Sequence, residues 1–137
     1  MWMPLHMSCL AIAYRDLDRF DEAWHCIGEA TTAIETTGER WYEAEVLRVA
    51  GEIAMTSQER DMAKAEMFFD RALDVARQQQ AKSWELRAAM SKARLWRDQG
   101  QRDAARHLLA PVYGWFTEGF DTLDLKHAKA LLDDLHV

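Results

Sequence analysis

Apolar residues recur along this chain three and four positions apart, and small residues punctuate them at repeated places. Ala23, Ile27 and Ala30 stand four and seven residues apart, Ala65, Phe69 and Ala72 keep that spacing, and Ala105, Leu109 and Val112 echo it. The three sets begin 42 and then 40 residues apart. A fixed period in this range is the mark of a helical solenoid, in which each unit buries its face against the next. Strand signals are weak: β-branched runs are absent, and no Asn-Gly or Asp-Gly hairpin turn occurs. The expected class is all-α.

The pattern predicts seven helices. The first starts near Pro4, a residue suited to a helix start, and ends at Asp16, with Leu5, Leu10, Ile12 and Tyr14 as its apolar positions. The second runs from about Phe20 to Thr36 and stops at Gly38. The third spans about Glu39 to Thr56, with Trp41, Ala44, Leu47, Ala50, Gly51 and Ala54 on one face. A polar turn, Ser57 to Glu59, leads to the fourth, which carries Ala65, Phe68, Phe69, Ala72, Leu73 and Ala76 and runs to about Gln80. Ser83 is placed to cap the fifth, which ends at Gly100. The sixth begins near Arg102, and Pro111 inside its pattern predicts a kink or break. Thr122 caps a last helix, Leu123 to about Leu135, one-sided in Leu125, Ala128, Leu131, Leu132 and Leu135. The short turns make neighbours antiparallel. The expected architecture is a single right-handed solenoid over residues 1–137, with pairs at about 4–38, 39–80 and 82–117 and a closing helix at 122–135.

Composition narrows the function classes. The 137 residues suit one domain, and 49% apolar content is ordinary for a folded chain. The formal net charge of −6 argues against nucleic acid, whose affinity rests on phosphate neutralisation. Apolar stretches fall well short of the roughly 20 residues that span a bilayer. The opening MWMPLHMSCLAIAYRD lacks a basic leader and a cleavage site, so the expected location is the cytoplasm. Cys9 and Cys26 then read as free, buried thiols.

The first pair resembles a tetratricopeptide repeat. From Ala11, Tyr14 follows at +3, Phe20 at +9, Ala23 at +12 and Ala30 at +19, the small–aromatic–aromatic–small–small order of that family. Alanine at the crossings lets two helices approach, and aromatics fill the wedge beside them. The third pair keeps Ala93, Trp96, Gly100 and Ala105, with Val112 in place of the last alanine. The middle pair offers Gly51, Ala54, Ala65, Phe69 and Ala72, with two extra residues in its turn. The stretches TTGERWYEAEVLRVAGEI (36–53), AEMFFDRALDVARQQQAKSWELRAAMSKARLWRDQG (65–100) and LLAPVYGWFTEGFDTLDLKHAKALLDDL (108–135) are similar to the C-terminal repeat tail of large bacterial signalling proteins of rhizobial type. Those carry a class III nucleotide cyclase or a DNA-binding domain, then a regulatory ATPase, then tetratricopeptide repeats. The resemblance implies a sensor or docking tail. The chain itself has no Gly-rich phosphate loop with Lys-Ser/Thr and no cyclase metal-aspartate segment.

Catalytic and metal chemistry find little purchase. His6 and Cys9, with His25 and Cys26 on the next helix, lack paired zinc-ligand spacing, and a Cys9–Cys26 disulfide does not suit a reducing compartment. Ser8, Ser57, Ser83 and Ser91 have no nucleophile-elbow context. The expectation is a non-enzyme without metal or cofactor. Trp24, Trp41, Trp84, Trp96 and Trp115 read mostly as core wedges, while Trp2 precedes the first helix without a partner. Tyr113, Trp115, Phe116 and Phe120 are expected to pack under the closing helix, with a ligand patch as the alternative.

One constellation points to binding. If the first helix of each pair lines a concave groove, that groove receives Arg15, Arg48, Arg87, Arg94 and Arg97, the last three at 0, +7 and +10 on a common face. Guanidinium binds carboxylate bidentately, so the expected partner is an acidic peptide or protein. The opposing expectation is that these arginines pair with Glu52, Glu85 and Asp98. Ser8 and Ile12 stand where the carboxylate clamp of chaperone-binding relatives has lysine and asparagine, so chaperone-tail binding is not expected. Trp2, Met3, Leu5 and Met7, with Leu10, are expected to face a missing neighbour and to support a two-fold homodimer. The expected function is protein–protein interaction in a signalling protein; the alternative is a small-molecule inducer sensor built on the sixth helix and its aromatics.

Overall fold

The computed structural model describes residues 3–56, 61–117 and 122–136, with residues 3–8 described for their backbone alone. The described residues form seven helices and no strand: α1 (Met3–Asp16), α2 (Phe20–Thr37), α3 (Glu43–Thr56), α4 (Met62–Gln78), α5 (Lys82–Asp98), α6 (Arg102–Trp115) and α7 (Leu123–Leu135). The protein is all-α. None of the described helices is long and apolar enough to cross a membrane.

Four of the connections turn on one residue with positive φ: Asp18 at 59°, Gly38 at 73°, Gln80 at 55° and Gly100 at 82°. That conformation costs an L side chain free energy, which glycine avoids at two of the four turns. The Gly38 N–H donates to the Ile34 carbonyl at 2.8 Å and closes the end of α2. Asp61 caps α4 by accepting from the Lys64 N–H at 2.9 Å.

Packing follows a regular rule. Consecutive helices pack on each other, and α1 also meets α3, α3 meets α5, and α5 meets α7. The backbones of α2, α4 and α6 do not approach one another closely; α2 and α4 meet through side chains alone. The odd-numbered helices therefore form a row, with α2, α4 and α6 outside it. The triplets that open the sequence pattern lie on those outer helices, and all nine residues are buried against the row. Alanine dominates the crossings: Ala50, Ala54, Ala72, Ala88, Ala89, Ala93 and Ala128 are buried. Gly51 marks a close crossing, since a β-carbon there would collide with Cε1 of the fully buried Phe69 and stand 2.7 Å from its Cδ1.

The local differences from the sequence reading have physical causes. Helix α3 starts at Glu43 rather than Glu39: the Arg40 carbonyl accepts from the Glu43 N–H at 3.0 Å and from the Gln79 side chain at 2.7 Å, so residues 40–43 form a separate turn ahead of the helix. Tyr42 is buried there, while Trp41 is 51% exposed and meets Tyr42 edge-on. Helix α5 starts at Lys82, so Ser83 lies inside its first turn instead of capping it. Thr122 stands at the N-cap of α7 but makes no side-chain cap hydrogen bond. Helix α6 continues through Pro111 without a break. Pro111 and His107, four residues before it, are both exposed, so the carbonyl that loses its donor lies on the solvent side.

Of the described tryptophans, Trp24 and Trp96 pack against the core, while Trp41 and Trp115 are more than half exposed. Trp24, Trp84 and Trp96 are partly buried and Trp115 is 56% exposed. Their polar edges and ring faces are used at the surface: the Trp96 indole N–H donates to Glu66 at 3.0 Å, and Lys64 sits 4.4 Å from the Trp24 ring centroid. Tyr113 and Phe116 do pack against the core beside α7, with Trp115 edge-on to Phe116. Cys26 is buried and Cys9 exposed, which corrects the expectation of two buried thiols. Trp2, Phe120 and the turn at Ser57–Glu59 lie outside the described residues.

Candidate functional site

The row of odd-numbered helices carries an unusual density of charge. Helical spacing explains it. Glu45, Arg48 and Glu52 fall on one face of α3, and Trp84, Arg87, Ser91 and Arg94 on one face of α5. Asp124, His127, Leu131 and Asp134 do the same on α7. Arg15 joins them from the last turn of α1. Most of these side chains line two recesses. The larger, of about 540 Å³, is lined by Cys9, Ile12, Arg15, Glu45, Arg48, Val49, Glu52, Trp84, Arg87 and Arg94. The smaller, of about 300 Å³, is lined by Arg94, Arg97, His127, Ala130, Leu131 and Asp134. Arg94 belongs to both.

Inside the larger recess a closed network holds the charges. Glu45 is buried and accepts two bonds from Arg48, from Nε at 2.9 Å and Nη2 at 2.7 Å. Arg87 adds a third contact to Glu45, from Nη1 at 3.0 Å. Ser91 donates to Glu52 at 2.7 Å and accepts from Arg48 Nη1 at 3.3 Å. Arg15 Nη1 approaches the second Glu52 oxygen at 3.6 Å. Burial pulls the Arg48 pKa down, but the Glu45 hydrogen bonds and the charges of Glu45, Glu52 and Asp124 outweigh it, so the net direction is upward. Arg48 is thus a buried cation held by its own carboxylates.

The rim is paired too. Arg87 Nε lies 3.8 Å from Asp124, and its guanidinium sits 5.9 Å from the Trp84 ring centroid. Arg97 bridges Asp98 at 3.3 Å and Asp134 at 3.2 Å. Arg15 contacts Asp16 at 2.8 Å.

Arg94 differs from all of these. Among the described residues it makes neither an ion pair nor a hydrogen bond, although it is half-buried between the two recesses. Its pKa moves down, first because burial strips water from the guanidinium, then because Arg48 and Arg97 repel it; Glu52 opposes the shift. An arginine stays charged under such a push, so the site holds a cation that has no ion pair or hydrogen bond among the described residues.

The structure thus brings together the five arginines expected in a groove, and gives four of them internal partners. Glu52 and Asp98 act as partners, as the opposing expectation had it, but Glu85 turns to Arg77 and Lys82 instead. The sequence reading missed Glu45, Ser91, Asp124 and Asp134. Glu45 was findable as the residue three before Arg48; the α7 acids needed the register between helices. Met3, Leu5 and Met7 stand on α1, and their side chains, like all of Trp2, lie outside what is described. The same holds for His6 and Ser8, while His25 pairs with Glu29 at 2.9 Å on the surface.

Comparison with known proteins finds no match to a family model, to a curated protein or to a solved structure.

Proposed function

We propose that the chain is a non-catalytic protein–protein interaction module. In this reading it is a tetratricopeptide-like right-handed solenoid of three helix pairs and a closing helix. The row of odd-numbered helices is its concave face. The alternation of packed and unpacked helix neighbours and the buried small-residue triplets support the architecture. The groove receives a carboxylate-bearing segment of a partner protein, and Arg94 is the contact that recognises it.

The observation that carries this reading is the unpaired, half-buried Arg94 beside four arginines that are already paired. A guanidinium stripped of water gains from any carboxylate delivered in the right geometry. The resemblance of the sequence to cyclase- and ATPase-linked repeat tails suggests the setting: a regulatory tail in a cytoplasmic signalling protein. The N-terminal positions Trp2, Met3, Leu5 and Met7 are proposed to join two copies, and light scattering that returns a monomer mass at working concentrations rejects that contact.

The test is quantitative affinity capture from the source cells with the wild-type chain and with the double variant Arg94→Glu, Arg97→Glu. A partner retained by the wild type should be lost by the variant while the helical circular dichroism stays the same. A partner set indifferent to both reversals refutes the groove.

A further inference from the structure

The arrangement of charge along the groove also limits what kind of acidic segment fits. The arginines lie inward and their acids partly outward. Arg15 and Arg48 have side chains 20% and 12% exposed, whereas Asp16, Asp124 and Asp134 are 61%, 40% and 51% exposed. Four arginines are occupied by these acids, by the buried Glu45 and by the partly buried Glu52. One guanidinium, Arg94, remains without a partner among the described residues. Arg94 is therefore a single positive seat that shares the smaller recess with Asp134, while Asp16 and Asp124 are held farther out by Arg15 and Arg87.

We infer that the groove selects a segment carrying one Asp or Glu side chain flanked by basic residues, and discriminates against acidic runs. This inference rests on the groove being the partner site. One carboxylate reaches Arg94. A second carboxylate beside the first would meet Asp134, and others farther along would approach Asp124 or Asp16; each of these acids repels them. Lysine or arginine at those flanking places meets the same acids with opposite sign. Like charges set against one another across a contact suppress the wrong partner, and opposite charges fix the register of the right one. The whole-chain charge of −6 works in the same direction, since it repels polyanions at a distance.

The experiment pans a random decapeptide library, displayed on phage through its C-terminal end so that no free terminal carboxylate is offered, on the full chain. Enriched sequences are synthesised as fluorescein-labelled C-terminal amides, and their affinities are measured by anisotropy for the wild type, Arg94→Gln and Asp134→Lys. Protection of the exposed Cys9 from maleimide places each peptide in or out of the larger recess, which Cys9 lines. Circular dichroism confirms that each variant is folded. The expected result is enrichment of a lone acid between basic residues, with about tenfold weaker binding to Arg94→Gln and a shift of preference toward acidic runs in Asp134→Lys. Acidic runs that bind the wild type best, protect Cys9 and depend on Arg94 overturn the selectivity and leave the groove standing. Enriched peptides indifferent to Arg94, or a panning round that enriches none, overturn both.

Discussion

Replacing Gly51 by alanine tests the close crossing of α3 and α4, and the sign of the effect is set by two opposing quantities. In a helix interior, glycine to alanine gains up to about 1 kcal/mol from backbone entropy. Against it stands the space. The added methyl would lie 2.7 Å from Phe69 Cδ1 and 3.0 Å from Cζ, where carbon atoms prefer about 3.5–4.0 Å. The ring would have to retreat by roughly 1 Å, but it is fully buried and shares its cluster with Ala54, Ala65 and Leu95. Overpacking of this kind costs about 1–3 kcal/mol, and a ring with nowhere to go belongs in the upper half of that range. The expected net loss is about 1–2 kcal/mol, equivalent to a fall in Tm of roughly 3–8 °C for a chain this size. Gly28 is the internal control. It lies in α2, and a methyl group added there would meet nothing within 4 Å, so the same substitution should raise stability by about 0.5–1 kcal/mol. The assay is thermal and urea unfolding followed by circular dichroism. Phe69→Leu should cost less in the Gly51→Ala background than alone, because it relieves the crowding. A Gly51→Ala protein as stable as the wild type, or no coupling to Phe69, refutes the close crossing.

Three further outcomes follow from the described geometry. Arg48→Met leaves Glu45 buried with Arg87 as its remaining groove partner, and should destabilise the fold by about 2–4 kcal/mol in urea unfolding; a loss below about 0.5 kcal/mol would show that the network is not held by Arg48. Thiol titration of the native protein at pH 8 should reveal one fast group, Cys9, and one slow group, Cys26, whose pKa is raised by burial and by the nearby Glu29; two equally fast thiols contradict the burial of Cys26. Stability should decline above about pH 9. Cys26 and Tyr42 both have folded pKa values raised above their ordinary 9.0 and 10.0, Tyr42 by burial and then by Glu39. In that range the unfolded chain has lost protons that the folded chain keeps, so unfolding is favoured as pH rises. A flat profile from pH 8.5 to the folded pKa of Tyr42 speaks against both.

Much of the fold was legible because it rests on periodicity. The Ala23–Ile27–Ala30 triplet and its two echoes mark buried faces directly, since helical spacing alone decides which side chains share a face. What periodicity could not reveal is where a partner side chain from elsewhere alters a local choice. The Arg40 carbonyl takes bonds from both the Glu43 N–H and the distant Gln79, a turn precedes α3, and Trp41 is exposed instead of lying on the face that its position in the pattern suggested. The arginines of the site were legible for the same reason as the core: they recur on one face of α5. Their state was not. Whether an arginine is available depends on which acids the neighbouring helices place beside it, and Asp124 and Asp134 reach the groove only through the packing of α7 on α5. Arg94 could therefore be located from the sequence, but its lack of a partner could be seen only in three dimensions.

The separation of α2, α4 and α6 has a mechanical consequence. Between α2 and α4 the connection is a side-chain bridge, Trp24 against Phe68 at 6.0 Å, and not a helix-on-helix seam. That outer link rests on individual side chains, so replacing Trp24 would remove it without opening a helix crossing.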